Sequence, residues 1–114
     1  MIRLKRIYED YSDTDGYRIL IDRLWPRGMS KERAKVDLWI KEISPSNDLR
    51  RWYQNNLEKT KEFQKKYLTE LTINSDSLQE VKKIIQNKKT ITFLYASKNS
   101  EPVHGAILKQ ALKD

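Results

Sequence analysis

The sequence predicts a small three-layer α/β sandwich, in which helices cover both faces of a mostly parallel central sheet of about four strands. Three observations lead to this prediction. Residues 18–24 contain a continuous apolar run, which is typical of a central strand covered on both faces. Residues 90–96 (Thr-Ile-Thr-Phe-Leu-Tyr-Ala) are rich in β-branched and aromatic side chains. Helical apolar spacing fills residues 57–85 and returns at 103–113, so residues 1–114 form one α/β domain.

The first third of the chain predicts two strands joined by a polar turn. Residues 2–8 alternate between apolar and charged side chains, which indicates a strand near a sheet edge. Residues 9–16 are acidic and predict a turn or a single helical turn, with Ser12 as its cap and Gly16 as its stop. A parallel crossover normally needs about a dozen residues. The relative direction of the first two strands is therefore left open.

The second strand, residues 18–24, ends at Pro26, because proline cannot donate to the strand ladder. Residues 30–34 predict a short helix capped by Ser30. Residues 36–43 alternate in polarity and predict a third strand or an extended segment. Residues 44–47 (Ser-Pro-Ser-Asn) are a helix-start signal.

Helices dominate the second half of the chain. Residues 49–53 predict a short helix and residues 57–73 a longer one that ends at Asn74. A further helix starts at Ser75 or Asp76. The two longer helices carry core-facing apolar stripes, formed by Phe63, Tyr67, Leu68 and Leu71 in one and by Leu78, Val81, Ile84 and Ile85 in the other. Residues 103–113 predict the last helix.

The composition excludes several kinds of site. The chain has no cysteine, which excludes disulfides, thiolate catalysis and cysteine-based metal centres. Its single histidine cannot supply the three or four protein ligands that zinc sites use, and no cofactor is predicted. The chain contains neither a signal-peptide-like apolar run nor a stretch long enough to span a membrane. We therefore expect a cytoplasmic protein without membrane contact.

The formal net charge of +7 is unevenly distributed. Residues 1–22 are nearly neutral, whereas residues 23–41 and 50–89 carry the basic excess. A positive surface attracts anions, including nucleic acid, but does not select among them. Solvated helix faces are the ordinary explanation of such an excess.

Two loops could form a site at the carboxyl edge of the sheet, where open α/β sheets bind ligands. The first follows the second strand, and the second follows the last strand and runs to His104. The two loops meet if these strands are parallel neighbours. The last helix would then add its positive amino terminus, which suits phosphate or carboxylate. The predicted ligand-binding residues are Arg23, Trp25, Arg27, Gly28, Lys98 and Asn99, and the candidate catalytic residues are Asp22, Lys98 and His104.

Each of these residues also has a structural interpretation. Asp22 could form an ion pair with a neighbouring arginine, and Trp25 and His104 could be packing residues. Ser97 or Ser100 as a nucleophile would need a base within reach, and that hypothesis is not favoured.

The chain closely resembles the YeaO-like family, catalogued as domain of unknown function 488, over nearly its whole length. The most specific element is the run Asp-Arg-Leu-Trp-Pro-Arg-Gly at residues 22–28. Further matching positions are residues 16–21, Lys31, residues 37–41, 44–46 and 49–52, Phe63, Tyr67, residues 70–71 and 94–98. The resemblance implies a small α/β fold with a parallel sheet, and it implies no established activity or cofactor.

The chain also departs from the family pattern. Residues 54–57 read Gln-Asn-Asn-Leu where members commonly have a His-Asp-Pro stretch. Asn99 stands where members often carry aspartate, and Val103 and His104 replace an asparagine-rich stretch. If those positions perform acid–base chemistry in relatives, this chain has lost part of it, which weakens an enzyme interpretation.

Three classes of function therefore remain, and whether the protein is an enzyme is left open. The favoured one is a pocket for a small anionic ligand. The second is nucleic-acid binding through basic helix residues, namely Arg50, Arg51, Lys65, Lys66, Lys82, Lys83, Lys88 and Lys89. The third is a structural or partner-binding module. The sequence carries no signal for an oligomeric state.

Overall fold

A computed structural model describes residues 1–97 and 103–113, and it contains one four-stranded sheet with the strand order β1-β4-β2-β3. All neighbouring strands are parallel. The strands are β1 (Ile2–Arg6), β2 (Tyr17–Leu20), β3 (Leu38–Trp39) and β4 (Ile91–Tyr95). The α/β class and the parallel sheet predicted from the sequence are confirmed.

Five α-helices accompany the sheet in the described part of the chain: α1 (Lys31–Ala34), α2 (Asn47–Gln54), α3 (Thr60–Ile73), α4 (Ser75–Asn87) and α5 (Val103–Lys113). Short 3-10 helices lie at Asp13–Asp15 and Lys41–Ile43. Ser12, Ser30 and Ser46 each cap the helix that follows by accepting a backbone hydrogen bond. Because serine is a common capping residue, these helix starts could be predicted from the sequence.

The position of β4 answers the question of strand direction. It lies between β1 and β2, so that Phe93 faces Leu4 on one side and Ile19 on the other. The first two strands are therefore parallel to the same neighbour without being paired to each other. The connection between them crosses over β4 with a 3-10 turn instead of an α-helix.

The two faces of the sheet are covered unequally. One face, which includes Ile19, Ile91 and Phe93, packs against the apolar sides of the helices that follow β3 and forms the larger core. The other face contributes Leu20 and Leu94 to a smaller core. That core is completed by Ile7, Met29 and Ala34, with Tyr8, Trp25, Val36, Trp39 and Ala96 packed around it.

Several predicted details differ from the structure. Residues 36–43, predicted as a third strand or an extended segment, contain the two-residue strand β3 followed by the 3-10 helix at Lys41–Ile43. The second strand was predicted to run to residue 24, but β2 ends at Leu20. The ladder stops there because the Asp22 carboxylate, and not a strand backbone, accepts the hydrogen bond from Ala96 N. The longer helix starts at Thr60 rather than at residue 57. Leu68, predicted to face the core, is 37% exposed, because it lies one position and therefore about 100° around the helix from buried Tyr67.

A buried ion-pair network lies on the thinly covered face. The Arg18 side chain is 1% exposed, and its Nη1 donates to Asp15 Oδ2. The remaining guanidinium donors reach two backbone carbonyls, with Nη2 2.8 Å from Ala34 O and Nε 3.1 Å from Lys35 O. Lys5 Nζ also lies 3.0 Å from Asp15 Oδ2. Every donor group of the buried guanidinium is thus paired.

The same network fixes the protonation state of Asp15. Burial alone would raise the pKa of its carboxyl group. Hydrogen bonds from Lys5 and from the backbone of Ser12, together with Arg18, outweigh burial and hold this pKa below its ordinary value. The carboxylate therefore remains ionised in the folded protein at neutral pH.

We expect Asp15→Asn to lower the free energy of unfolding at pH 7 by about 3–5 kcal/mol, because it leaves buried Arg18 without its counter-charge. Since the folded-state pKa of Asp15 is lowered, its contribution is present above about pH 4 and is lost as the pH falls further. The difference between wild type and variant should therefore shrink in acid. Urea unfolding at several pH values measures this.

Asp48→Asn is the matched control, because Asp48 and Arg51 form a pair with the same i, i+3 spacing on the surface of α2. Those side chains are exposed, so the substitution should leave the urea midpoint nearly unchanged. Equal effects of the two substitutions would contradict a structural role for the Asp15–Arg18 pair.

The two glycines at positive φ should respond differently to alanine. A Cβ at Gly16 would lie 2.3 Å from Thr90 O, whereas one at Gly28 would meet nothing within 4 Å. Gly28→Ala should cost about 1–2 kcal/mol for the backbone conformation alone. Gly16→Ala should cost more than about 3 kcal/mol, because the clash adds to the same strain. Thermal unfolding of both variants tests the order, and equal costs would contradict the close approach.

Candidate functional site

An open cleft of about 590 Å³ lies at the carboxyl end of the sheet. We call it the carboxyl-end cleft. Its walls come from the segments that follow β1, β2 and β4, from the start of α5, and from α2 and the amino-terminal part of α3. The lining residues are Tyr8, Asp22, Leu24, Trp25, Pro26, Arg27, Ser44, Pro45, Arg50, Tyr53, Gln54, Leu57, Phe63, Ala96, Ser97 and His104.

The structure brings Asp22 and His104 together, although the chain separates them widely. Asp22 Oδ2 accepts a hydrogen bond of 2.8 Å from Ala96 N. Asp22 Oδ1 lies 3.3 Å from His104 Nε2, which is close enough for a charge interaction but not aligned for a hydrogen bond. The pair is about one-fifth exposed on each side. Asp22 therefore joins the end of β2 to the end of β4 and to the first turn of α5.

Asp22 makes no ion pair with an arginine in the described part of the chain, so that structural alternative is wrong. Arg18 is paired with Asp15 instead. Arg23 is half-buried and donates to two backbone carbonyls, with Nη2 2.9 Å from Ser44 O and Nε 3.3 Å from Pro45 O. It does not line the cleft. Its guanidinium holds Ser44 and Pro45 in place, and these two residues line the cleft on the side opposite the loop that follows β2.

Trp25 is bonded into the loop that it belongs to. Its Nε1 donates to Met29 O at 2.7 Å, and its ring meets Trp39 edge-on at 5.5 Å between centroids. Tyr8 fastens the same loop, because its hydroxyl donates to Arg27 O at 2.9 Å. These contacts agree with the packing interpretation of Trp25. Carbon atoms of the Trp25 and Tyr8 rings still line the cleft.

Arg27 and Gly28 lie at the exposed tip of this loop. The Arg27 side chain lines the cleft and makes no hydrogen bond or ion pair with any described residue. Gly28 has φ +72° in open space, so it supplies the left-handed turn that presents Arg27.

Sequence reasoning missed part of this wall. Arg50, which was assigned only to the basic helix surface, lines the cleft from α2, as do Tyr53 of α2 and Phe63 of α3. Leu24 and Leu57 lie at the cleft with 70% and 64% of their surface exposed. The Ser46 cap predicted where α2 starts, but no local signal in the sequence shows that Arg50 faces the cleft.

Two of the predicted ligand-binding residues, Lys98 and Asn99, lie outside the described residues. Within residues 1–97 and 103–113, no group of three or more acidic, histidine or cysteine side chains could hold a metal ion. No helix in the same ranges is long and apolar enough to cross a membrane. The polar and aromatic groups that the structure places at the cleft are Arg27 and Arg50, the aromatic rings and the Asp22–His104 pair.

The basic helix residues show no shared arrangement that identifies a nucleic-acid interface. Arg51 pairs with Asp48, and the ammonium groups of Lys66 and Lys88 lie over the rings of Trp52 and Tyr17 at 5.0 and 5.4 Å. Nucleic-acid binding through these helices stays a prediction.

Substitutions of Asp22 can separate the role of its charge from that of its hydrogen bond. Asp22→Ala removes the acceptor for Ala96 N and should lower the free energy of unfolding by about 1–3 kcal/mol. Asp22→Asn keeps an oxygen acceptor and should cost less. Chemical denaturation of both variants measures the difference, and an asparagine variant as unstable as the alanine variant would show that the charge facing His104 dominates.

Comparison with known proteins places the chain among uncharacterised relatives. The chain is similar to the uncharacterised protein YeaO of Escherichia coli K12, with 40% identity over 114 residues that cover 98% of this chain and 96% of the relative. It is also similar to the uncharacterised protein Rv3073c of Mycobacterium tuberculosis H37Rv, with 37% identity over 111 residues, or 97% of this chain and 92% of the relative. No solved structure matches it.

A family model described as "Inactive DUF488-N3 subclade" matches residues 1–114. The full-length match agrees with the resemblance carried by the run at residues 22–28. The chain belongs to the YeaO-like DUF488 family, within the subclade described as inactive.

Proposed function

We propose that the protein binds a small anionic ligand, with a phosphate or carboxylate group, in the carboxyl-end cleft. Arg27 and Arg50 contact the anionic group from two walls of the cleft. The chain binds this ligand without transforming it.

The observation that carries the proposal is the contrast between paired and unpaired arginines. Arg18 and Arg23 are committed to protein partners, and Arg6 donates to Ser97 O at 2.8 Å. The side chains of Arg27 and Arg50, the arginines that line the cleft, make no hydrogen bond or ion pair with any described residue, and only their backbone atoms are bonded. Guanidinium groups bind phosphate and carboxylate in a bidentate manner, so two unpaired ones at one cleft favour an anion.

The surroundings of these arginines strengthen the argument. The loop that carries Arg27 is fixed by the hydrogen bonds of Tyr8 and Trp25 to its backbone. Arg50 projects from α2, a helix whose start is capped by Ser46. Both cations therefore start from ordered backbone, which reduces the entropy lost on binding.

Binding without catalysis is supported by the contacts of Asp22, one of the candidate catalytic residues that the structure describes. Asp22 holds Ala96 N with one carboxylate oxygen and faces His104 with the other. A general base needs a free acceptor within reach of the reacting proton, and one of the two Asp22 carboxylate oxygens is already occupied by Ala96 N. The departures at residues 54–57 and the description of the subclade as inactive support the same conclusion.

Arg27→Gln and Arg50→Gln should each weaken binding of methyl phosphate by about tenfold, because each removes a charged hydrogen-bond donor. Titration followed by two-dimensional NMR of the wild type and the variants gives the dissociation constants. Unfolding temperatures should stay within a few degrees of wild type, since neither side chain contacts another described residue through a polar bond.

Arg33→Gln is the matched control, because Arg33 is an exposed arginine of α1 that does not line the cleft. It lowers the net charge equally and should leave binding unchanged. An equal loss in all three variants would indicate non-specific attraction to a basic surface, and the absence of any phosphate-induced shift at the cleft would overturn the proposal. Binding to generic DNA that falls steeply with salt would favour the nucleic-acid alternative.

A further inference from the structure

We infer that the ligand carries a flat aromatic ring in addition to its anionic group. This inference rests on the proposed function and deepens it by naming the second half of the ligand. It comes from the part of the carboxyl-end cleft that the two arginines do not explain.

The size and lining of the cleft exceed what an inorganic anion requires. About 590 Å³ is within the range of pockets that hold organic ligands of moderate size. Aromatic rings line the cleft from four different segments, namely Tyr8, Trp25, Tyr53 and Phe63, and Pro26 and Pro45 add further apolar surface. A bare phosphate would leave this surface in contact with water.

The polar atoms of these rings are already used inside the protein. Tyr8 Oη donates to Arg27 O, Trp25 Nε1 donates to Met29 O, and Tyr53 Oη lies 2.9 Å from Thr60 Oγ1. The rings therefore offer carbon surface rather than hydrogen bonds. A ligand that gains from them does so by stacking or by burial of apolar area.

A stacking arrangement is already present in the wall. The rings of Tyr53 and Phe63 lie 4.3 Å apart with 21° between their planes. Phe63 is buried, whereas Tyr53 is half-buried at the cleft. A third planar ring can extend such a stack, whereas a saturated ring cannot reproduce its spacing.

The mouth of the cleft carries apolar side chains that the fold does not bury. Leu24 is 70% exposed and Leu57 is 64% exposed, and both line the cleft. Exposed leucines contribute little to folding, but they can cover the edge of a bound ring. Together with Arg27 and Arg50 they give a mouth that is both apolar and cationic, which matches a ligand that is both apolar and anionic.

The inference is tested with ligands that separate the ring from the charge. Phenyl phosphate should bind about tenfold or more tightly than methyl phosphate, because base-sized rings that stack on aromatic side chains gain about this much. Cyclohexyl phosphate has a similar apolar area without a π face and should bind about threefold more weakly than phenyl phosphate. Phenol, which lacks the anionic group, should bind more weakly than phenyl phosphate and cyclohexyl phosphate.

Variants at the mouth provide the second half of the test. Leu24→Ala combined with Leu57→Ala should weaken phenyl phosphate about tenfold and methyl phosphate hardly at all. Ile73→Ala is the matched control, because Ile73 is 75% exposed on α3 and does not line the cleft. It should change neither affinity. All of these residues are exposed, so the variants should fold normally.

The outcomes distinguish this inference from the proposed function. Equal affinities for methyl, cyclohexyl and phenyl phosphate, each dependent on Arg27 and Arg50, would overturn the inference and leave the proposed function standing. No binding of any phosphate would overturn both. If phenyl phosphate is preferred, adenosine 5′-monophosphate and benzoate then show whether a nucleotide or a smaller aromatic acid fits better.

Discussion

The buried pairing of Arg18 with Asp15 is the interaction on which the rest of the structure depends. An arginine in a strand between two others cannot reach water, so all of its donors need protein acceptors. The crossover from β1 supplies Asp15, and the carboxyl end of α1 supplies the carbonyls of Ala34 and Lys35. The Arg18 guanidinium thus holds two segments in place on the thinly covered face of the sheet. One is the crossover that contains Asp15, and the other is the end of α1 at Ala34 and Lys35.

The strand order then places the cleft. Because β4 is inserted between β1 and β2, the loops that follow all three strands open at the same edge. The Asp22 carboxylate takes the place of a ladder carbonyl at Ala96, which ends β2 and lets the chain turn outward with Trp25 and Arg27. Arg23 braces the opposite wall through the carbonyls of Ser44 and Pro45. The charged residues that follow β2 are therefore divided between structural groups, Asp22 and Arg23, and the exposed Arg27.

The sequence allowed the strands and the helix caps to be predicted, because those depend on local signals such as Ser30, Ser46 and the apolar run of β2. The predicted site stays a prediction, and the structure has a cleft at the sheet edge where it was expected. The burial of Arg18 was not predictable in this way, since an arginine at the start of an apolar run ordinarily indicates a solvent-exposed strand end. Its partners lie in two other segments, the crossover from β1 and the end of α1, and are defined only by the fold. Arg50 was missed for a related reason: a helix surface charge becomes part of a cleft only through the packing of α2 beside the sheet end.

The positions and partners of the arginines indicate more about possible anion contacts than the net charge of the chain does. Arg6, Arg18 and Arg23 stabilise backbone segments through carbonyls and one carboxylate, and such groups are not available to a ligand without loss of structure. Arg27 and Arg50 have no such partner in the described chain, so contacting an anion costs them no protein hydrogen bond. Under the proposed function, the free energy of anion binding comes from these two arginines, and the further inference assigns the choice among anions to the aromatic wall beside them.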